Sequence, residues 1–238
     1  MQSTQPRRCW PAVSAGAWWS MSAADAQAPV GLLLAGGRGS RFDPSGHRDK
    51  LLALLDGEPV SVHAARTLKA ACPQSFAVLP SGKPELRSLI EQTGCEVLVT
   101  EATRLGMGHS IAFGAARILE RLGSRPLVLA LGDMPRVSID TFYALIARLG
   151  GNPLAIVAPT FNGQRGHPVV FGAAHLAALA HLQGDRGAFA LLQTNPPQLV
   201  PVADPGVLQD IDTPGDLAAD AAHDSMDRRR DTPDSHAR

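Results

Sequence analysis

The sequence predicts a single α/β domain in which helices cover a mostly parallel β-sheet. Short apolar runs alternate with longer amphipathic stretches from about residue 30 to residue 193. The runs are apolar at consecutive positions, and a strand of that kind is buried on both faces, as in a parallel sheet between two layers of helices. Polar and glycine-rich segments follow several runs, which is typical of loops at the carboxyl ends of parallel strands, where ligands bind.

The individual elements follow from this alternation, taken in chain order. The predicted strands are the short apolar runs Val30–Leu34, Phe76–Leu79, Val97–Val99, Leu127–Leu131, Ala155–Ala158 and Val169–Phe171. The predicted helices are the amphipathic stretches Pro59–Ala71, Pro84–Gln92, Gly108–Leu122, Ser138–Leu149, Ala173–Leu182 and Gly187–Gln193. No internal repeat and no obvious linker occurs before about residue 221, so we expect one domain over residues 29–220.

Composition limits the possible functions. The chain has 238 residues, which suits one large domain with a substantial core. Its formal net charge is zero, which argues against a nucleic-acid partner, because such a protein needs a basic face to neutralise phosphates. A small anionic ligand needs only a local cluster of charge. No apolar run approaches the roughly 20 residues of a membrane span, so we expect no membrane partner.

The cysteines and the two ends of the chain give further expectations. Cys9, Cys72 and Cys95 are odd in number and widely spaced, which fits neither a disulfide framework nor a zinc site and favours reduced thiols in the cytoplasm. Residues 1–28 are interpreted as a disordered leader or as a start assigned too early, with Met21 as an alternative start; a weak signal peptide is the other interpretation. Residues 221–238 are charged, lack apolar periodicity and are expected to be disordered.

The loop after the first predicted strand carries an unusual density of glycine and positive charge. Residues 34–50 read LAGGRGSRFDPSGHRDK, and Lys50 is one of only three lysines in the chain. The third glycine of a dinucleotide-binding GxGxxG motif is missing, and no Walker A Gly-Lys-Ser/Thr follows. What remains is a series of backbone amides with Arg38, Arg41 and Lys50 nearby, which is suited to binding phosphate. The alternative is a surface loop with solvated arginines.

Several motifs in a fixed order resemble one enzyme family. LAGGRGSRF followed by DKLLALLDGEPV resembles the opening signature of the MobA-like nucleotidyltransferases. The later segments that agree with this family are GMGHSIAFGA at Gly106, LGDMP at Leu131, RGHPVVF at Arg165, GDRGAFALL at Gly184 and DIDTPGDL at Asp210. The last four together resemble the molybdenum cofactor cytidylyltransferase branch. The resemblance covers about residues 29 to 220, and only the long segment FDPSGHRD departs from the family's short spacer.

The resemblance implies a fold, an activity and a set of partners. The implied fold is a three-layer Rossmann-like domain of the nucleotidyltransferase (glycosyltransferase-A-like) type. The implied reaction transfers CMP from CTP to the phosphate of molybdopterin and releases pyrophosphate, with Mg²⁺ as the cofactor. The implied recipient of the product is a molybdenum hydroxylase or its maturation chaperone. A guanylyltransferase or another sugar- or alcohol-phosphate nucleotidyltransferase, and a non-catalytic molybdenum cofactor carrier, remain alternatives; a nicotinamide oxidoreductase is disfavoured by the missing third glycine.

The resemblance also implies the roles of individual residues. The expected nucleotide-binding residues are Leu34, Ala35, Gly36, Gly37, Arg38, Gly39, Ser40, Arg41, Lys50, Gly108 and Ser110. Arg38, Lys50 and Asp133 are the expected catalytic residues, and Asp133 and Asp212 are the expected Mg²⁺ ligands, since Mg²⁺ is typically held by one or two carboxylates plus substrate phosphates. The alternative for Asp133 is a helix N-cap or a turn-forming residue, and Asp210 is interpreted as the cap of the helix after Thr213-Pro214.

The acceptor side and the choice of base complete the expectations. Arg165, Gly166, His167 and Pro168 are the expected substrate-binding residues, although a histidine before proline is also common as a hydrogen-bonded structural residue. The segment 184–187 is expected to shape the same side, with a simple turn as the alternative. The opening Leu-Ala-Gly-Gly resembles the guanylyl version of the first loop, whereas the downstream motifs resemble the cytidylyl branch. The larger agreement downstream favours CTP over GTP.

Overall fold

The computed structural model describes residues 28–217, apart from residues 38, 40 and 46. The predicted leader, except for Ala28, and the predicted tail lie outside the described residues, and so do Arg38 and Ser40. Within the described part of the chain, no helix is long and apolar enough to cross a membrane.

A mixed but mainly parallel sheet forms the middle layer. The strands are β1 (Val30–Leu34), β2 (Leu54–Leu55), β3 (Glu58–Pro59), β4 (Ser75–Leu79), β5 (Glu96–Val99), β6 (Leu127–Leu131), β7 (Ile156–Phe161), β8 (Gln164–Arg165), β9 (Val169–Phe171) and β10 (Gln198–Pro201). The order across the main sheet is β10-β7-β9-β6-β1-β4-β5, and β8 pairs with β7. Strand β9 runs antiparallel between β6 and β7, whereas β1, β4, β5 and β6 are parallel, as are β7 and β10. The predicted α/β class with a mostly parallel sheet is confirmed.

Helices cover both faces of this sheet. They are α1 (Val60–Ala71), α2 (Pro84–Gln92), α3 (Met107–Leu122), α4 (Ile139–Leu149), α5 (Leu176–Leu179) and α6 (Phe189–Thr194). Helices α1, α2 and α4 pack their apolar side chains against one face, and α3, α5 and α6 pack against the other. Strand β1 shows why both faces are apolar: Leu33 points into the first cluster, while Leu32 and Leu34 point into the second. This is the expected three-layer arrangement.

Local chemistry sets the helix ends and explains where the predicted bounds differ. Helix α4 begins after Ser138, whose Oγ accepts a hydrogen bond from the amide of Asp140, so Ser138 is the N-cap and not the first helical residue. The last predicted helix begins at Phe189 instead of Gly187, because Gly187 has a φ of 53°, which a right-handed helix cannot include. The helix predicted over Ala173–Leu182 is a 3₁₀ turn followed only by α5.

Four short strands were not predicted from the sequence. Strands β2 and β3 pair with each other in a small hairpin before α1, and β8 adds to β7 through the turn at Asn162-Gly163. Strand β10 lies at the sheet edge beside β7. These strands are two to four residues long and largely exposed or half-buried, so they lack the continuous apolar run that marks a buried strand.

The fold brings the polar loops together at one edge. Strands β1 and β6 are parallel neighbours in register from Val30 to Leu34, so the segments that follow them leave the sheet side by side. The amide of Gly132 donates a hydrogen bond to the carbonyl of Leu34 at 2.9 Å, which fixes the two segments to each other. The glycine-rich loop and the LGDMP segment therefore share the carboxyl edge of the sheet, where ligands bind in such folds.

Candidate active site

Lys50 lies at the centre of the candidate site. Its Nζ donates hydrogen bonds to Oδ2 of Asp133 at 2.6 Å and to Oδ1 of Asp212 at 2.8 Å, and its side chain is only 7% exposed. Burial on its own lowers the pKa of Lys50, but the attraction of the two carboxylates more than offsets it, so the pKa is raised and the ammonium stays charged. Three residues that are far apart in the sequence thus form one charged cluster.

The loop in front of Lys50 is held by two aspartates. Asp49 caps the 3₁₀ turn Lys50–Leu52 by accepting a hydrogen bond from the amide of Leu51 at 3.0 Å, and it pairs with Lys83 at 2.8 Å. Earlier in the loop, Asp43 accepts hydrogen bonds from its neighbours, including the amide of Arg48 at 2.7 Å. These contacts connect Asp43 to Arg48 and fix the turn that places Lys50 against the carboxylates.

Asp133 follows β6 and caps no helix. The helix downstream is capped by Ser138, so the interpretation of Asp133 as an N-cap is wrong, whereas Asp133 does lie in the turn that follows β6. The backbone carbonyl of Asp133 accepts a hydrogen bond from the amide of Ile211 at 2.9 Å, which brings the Asp210–Asp212 segment alongside. The carboxylate is left to face Lys50, with 22% of the side chain exposed.

Asp212 is the more heavily paired of the two carboxylates. Besides Lys50, it contacts Nη2 of Arg41 at 2.7 Å, although the Arg41 side chain is 75% exposed. Burial raises the pKa of Asp212, but the hydrogen bond and charge of Lys50 outweigh it, so the pKa is lowered. The neighbouring Asp210 has its pKa raised by burial and by the adjacent Asp212 carboxylate. Asp212 is therefore the carboxylate of this pair that is held ionised.

The interpretation of Asp210 as a helix cap is wrong. Residues 214–217, the last that the structure describes, are also helical, and Thr213 caps them: its Oγ1 accepts a hydrogen bond from the amide of Asp216 at 3.2 Å. The Asp216 carboxylate in turn accepts from the amides of Asp212 and Thr213 at 3.0 and 2.6 Å. This reciprocal arrangement fixes the backbone at Asp212 and leaves Asp210 beside the charged cluster.

Asp133 and Asp212 suit a divalent metal whose remaining ligands come from a substrate and from water. Asp133 and Asp212 both approach one cation, the Lys50 ammonium, so their oxygens already converge on a point between them. Among the described residues, no group of three or more histidine, cysteine, aspartate or glutamate side chains could hold a metal ion. Mg²⁺ needs no such cage, because it keeps several waters and uses one or two carboxylates plus substrate phosphates.

A cleft of about 440 Å³ opens beside this cluster. Its described lining residues are Leu34, Gly36, Gly37, Thr103, Arg104, Leu105, Gly106, Met107, Ser110, Leu131, Asp133 and Asp185. Of the expected nucleotide-binding residues, Leu34, Gly36, Gly37 and Ser110 lie on its walls. A Cβ on Gly36 would lie 2.8 Å from Cγ2 of Thr103, so the backbone runs too close to the opposite wall to carry a side chain.

Gly108, one of the expected nucleotide-binding residues, has a structural role. The amide of Gly108 donates to the carbonyl of Gly184 at 2.9 Å, so it is not available to a ligand. A Cβ on Gly108 would lie 2.7 Å from the carbonyl oxygens of both Gln183 and Gly184. Gly108 therefore allows the two loops to pack closely, while Ser110 faces the cleft.

The expected acceptor-side residues form a fixed turn next to the cluster. The amide of Gly166 donates to Pro159 and that of His167 donates to Val207, both at 2.9 Å, and Gly166 packs directly against the Val207 carbonyl. Within the described residues, Nδ1 of His167 is buried without a hydrogen-bond partner, and burial lowers the pKa of this side chain, so the imidazole is neutral at pH 7. Arg165 is exposed at the end of β8.

Sequence reasoning missed several residues that the fold places in the cleft. Thr103 and Leu105 precede the recognised GMGHS motif, and Asp185 was assigned to the acceptor side. The sequence does contain a signal for Asp185. The glycines at 106, 108, 184 and 187 are typical of loops that pack closely, but only the folded chain shows that these two loops pack against each other.

Known proteins resemble this chain in sequence and in fold. The family model of the MobA-like NTP transferase domain matches residues 31–201. The purine catabolism protein PucB of Bacillus subtilis is 29% identical over 199 residues, which cover 78% of this chain and 92% of PucB.

Two solved structures show the same fold. Rv0371c from Mycobacterium tuberculosis H37Rv superposes with a TM-score of 0.68 at 25% identity, covering 82% of this chain and 98% of that one, and it has also been solved in complex with manganese. The molybdopterin-guanine dinucleotide biosynthesis protein A of Archaeoglobus fulgidus superposes with a TM-score of 0.62 at 19% identity, covering 83% and 99%. Because the family model spans well over half of the sequence, the chain belongs to the MobA-like NTP transferase domain family.

Proposed function

We propose that this protein transfers CMP from CTP to the phosphate of molybdopterin and releases pyrophosphate. One observation carries the proposal. Lys50, Asp133 and Asp212 converge beside a cleft of about 440 Å³ that is lined by Gly36 and Gly37. A cation and two carboxylates at that position suit a triphosphate and a divalent metal, and the cleft beside them has a volume typical of small-ligand pockets.

The arrangement suits an in-line displacement without a covalent enzyme intermediate. A phosphate oxygen of the acceptor forms a bond to the α-phosphorus of the nucleotide, and the bond from that phosphorus to the oxygen shared with the β-phosphate breaks. The electron pair leaves with pyrophosphate. Such transfers depend mainly on positioning and on stabilising charge, so the site needs cations near the phosphates and no nucleophilic side chain.

Each charged residue has a defined part in this proposal. Asp133 and Asp212 would hold a divalent metal, which neutralises phosphate charge when it is bound. Lys50 would move its hydrogen bonds from the carboxylates to the phosphates, and Arg41, exposed beside Asp212, would add positive charge from the solvent side. The expected catalytic Arg38 and the expected ligand Ser40 stay predictions, as both lie outside the described residues.

The acceptor side of the proposal depends on the turn 165–168. His167 is neutral and close enough to the cluster for the Asp133 charge to act on its pKa, so it can donate or accept a hydrogen bond to the acceptor without adding charge. Arg165 is exposed and can pair with an acceptor phosphate. Delivery of the product to a molybdenum hydroxylase or its chaperone, and a cytoplasmic location, stay predictions from the sequence.

A guanylyltransferase is the second candidate. Leu-Ala-Gly-Gly in the first loop favours it, since this resembles the guanylyl version of the motif. The structure offers space at the position in question: a Cβ on Gly37 would meet nothing closer than Cε of Lys50 at 3.8 Å. The size of residue 37 therefore provides little discrimination, and the preference for CTP depends on the downstream motifs.

The proposed function is tested by turnover with each of the four nucleoside triphosphates. Purified protein, Mg²⁺ and molybdopterin are incubated with one triphosphate at a time, and pyrophosphate release is measured, with reactions lacking molybdopterin as controls. We expect release that needs molybdopterin and is fastest with CTP. Nucleotide binding without any pyrophosphate release would contradict the enzyme and favour the carrier.

A further inference from the structure

Contacts along the cleft separate two regions of different chemistry. The charged cluster of Lys50, Asp133 and Asp212 lies beside Gly37, whose Cβ position is 3.8 Å from Cε of Lys50. Gly36 packs against Thr103, and after Thr103 the chain continues through Leu105 and Met107, which line the cleft and are 62% and 43% exposed. Large apolar side chains facing an open cleft suit a flat aromatic ring, and the charged cluster suits phosphates. The region of Leu105 and Met107, here called the base end, is therefore where a nucleobase would lie.

The segment 183–187 closes this base end. The carbonyl of Gly184 accepts the hydrogen bond from Gly108, and a Cβ on Gly187 would lie 2.9 Å from Sδ of Met107. There is no room for a side chain on Gly106 either, because Oδ1 of Asp185 takes that space. The two loops are thus packed backbone to backbone, and the Asp185 carboxylate is carried into the cleft at the base end.

Asp185 differs from every other described residue on the walls of this end. Among the described residues that line the cleft, Asp133 and Asp185 carry the carboxylates, and Asp133 is part of the charged cluster. An ionised carboxylate accepts hydrogen bonds and donates none, and it repels phosphate. A nucleotide in the cleft can satisfy Asp185 only with an N–H or O–H group, and such groups occur on the base and on the ribose.

We propose that Asp185 is a specificity-determining residue that accepts a hydrogen bond from the exocyclic amino group of the nucleobase. The inference rests on the proposed function, because it needs a nucleotide in the cleft. Cytosine presents such an amino group, and aspartate is a known partner for it. Uracil has a carbonyl oxygen at the same place, which would face the carboxylate with like charge. Asp185 therefore selects amino-bearing bases against uracil.

The ribose hydroxyls are the other donors within a nucleotide, and they make a different prediction. All four ribonucleotides have the same ribose, so a carboxylate that binds a hydroxyl contributes equally to all of them. A carboxylate that reads the base changes the ratio of affinities between cytosine and uracil. Removing a negative charge near the triphosphate raises the affinity for CTP and UTP equally. This general gain therefore cancels in the ratio of the two affinities.

The test compares the binding of the four triphosphates in three proteins. Calorimetric titrations with Mg²⁺ and without molybdopterin are made on the wild type, on Asp185→Asn and on the matched control Asp140→Asn. Asp140 is also an exposed aspartate, but it lies on α4, away from the cleft. Melting temperatures show that the variants are folded.

We expect the wild type and the Asp140 variant to bind CTP at least about tenfold more tightly than UTP. In Asp185→Asn this ratio should fall to within about threefold, because an amide can donate to the uracil carbonyl as well as accept from an amino group. An unchanged ratio would overturn the inference, and so would an equal loss of affinity for all four nucleotides, which indicates the ribose. If the wild type binds none of the four, the proposed function itself fails, and the role of Asp185 fails with it.

Discussion

The ammonium of Lys50 lies 2.6 Å from a carboxylate oxygen of Asp133, and the same nitrogen bridges to Asp212 at 2.8 Å. The lysine thus offsets part of the negative charge of the two side chains that are proposed to hold a divalent metal. A metal that binds there has to replace the hydrogen bonds of Lys50, and the phosphates of a nucleotide offer this lysine new partners. Metal and nucleotide are therefore expected to bind more tightly together than separately.

This arrangement predicts that removing Lys50 strengthens metal binding. In Lys50→Met the competing internal cation is lost, so the affinity for Mn²⁺ in the absence of nucleotide should rise by about tenfold, since a hydrogen bond to a charged group is worth roughly 1.5–3 kcal/mol. The measurement is an electron paramagnetic resonance titration of free Mn²⁺. Turnover of the same variant should fall by about 10²-fold through the loss of one transition-state stabiliser.

Lys69→Met is the matched control for this prediction. Lys69 is half-buried near the end of α1, where its Nζ donates to the carbonyl of Pro73 at 2.6 Å, and it has no part in the proposed site. Its metal affinity and turnover should equal those of the wild type. Weaker Mn²⁺ binding in Lys50→Met than in the wild type would show that Lys50 supports the metal site instead of competing with the metal.

Asp133→Asn separates metal binding from structure. The substitution keeps the size of the side chain and leaves the Ser138 cap and the backbone hydrogen bond to Ile211 in place. We expect a melting temperature close to that of the wild type, with activity largely lost and a higher Mg²⁺ concentration needed for what remains. Thermal unfolding and a Mg²⁺ titration of turnover check this. A large drop in stability with normal specific activity would mean that Asp133 is structural.

The two glycines of the first loop make a matched pair. A methyl group on Gly36 would collide with Thr103 across the cleft, whereas one on Gly37 would meet nothing closer than 3.8 Å. Gly36→Ala should therefore weaken CTP binding by about fivefold or more, and Gly37→Ala should change it less than threefold, because displacing a packed wall costs at least about 1 kcal/mol. Calorimetric titration of both variants gives the answer. If both variants lose the same affinity for CTP, the close contact between Gly36 and Thr103 does not limit nucleotide binding.

The loop that carries Lys50 should show a characteristic acid sensitivity. A hydrogen bond from Ser45 Oγ, followed by one from the Arg48 amide, lowers the pKa of Asp43 from 3.8 to about 2. A lowered pKa in the folded state means that the ionised form is favoured by folding, so this stabilisation is complete above pH 3.8 and is lost as the pH falls towards 2.

Asp43→Asn therefore unfolds more easily than the wild type at pH 7, and the difference shrinks as the pH falls below 3.8. Urea unfolding of both proteins at pH 7 and at pH 3 measures it, with Asp140→Asn as the control variant. A difference that stays constant across this interval would show that the Asp43 carboxylate does not hold the loop.

Much of the fold could be predicted because its central strands are buried on both faces. In β1 and β4 every residue is buried, and such runs are legible in the sequence. Strand β10 was missed because it is an edge strand with Leu199 half exposed and Pro201 at its end, which removes the apolar run on which the prediction depends. The position of β10 in the sheet is set by its hydrogen bonds to β7, which lies well before it in the chain, so local sequence does not reveal it.

The site could be predicted residue by residue but not as an arrangement. Lys50, Asp133 and Asp212 each lie in a motif, yet 83 and 162 residues separate the lysine from its partners, so their contact appears only in three dimensions. The ammonium was expected among the phosphates, and the fold places it between the carboxylates. Asp185 was assigned to the acceptor side for the same reason, since a glycine-rich turn does not show which loop it packs against.

The choice between CTP and GTP tests the central claim most directly. Wild-type protein is given equal concentrations of both nucleotides with Mg²⁺ and molybdopterin, and the two dinucleotide products are quantified by mass spectrometry. In such a competition the product ratio equals the ratio of kcat/KM values. We predict at least about tenfold more cytosine than guanine dinucleotide, a difference of roughly 1.4 kcal/mol. Equal or greater amounts of the guanine product would contradict cytidylyl transfer and make the protein a guanylyltransferase.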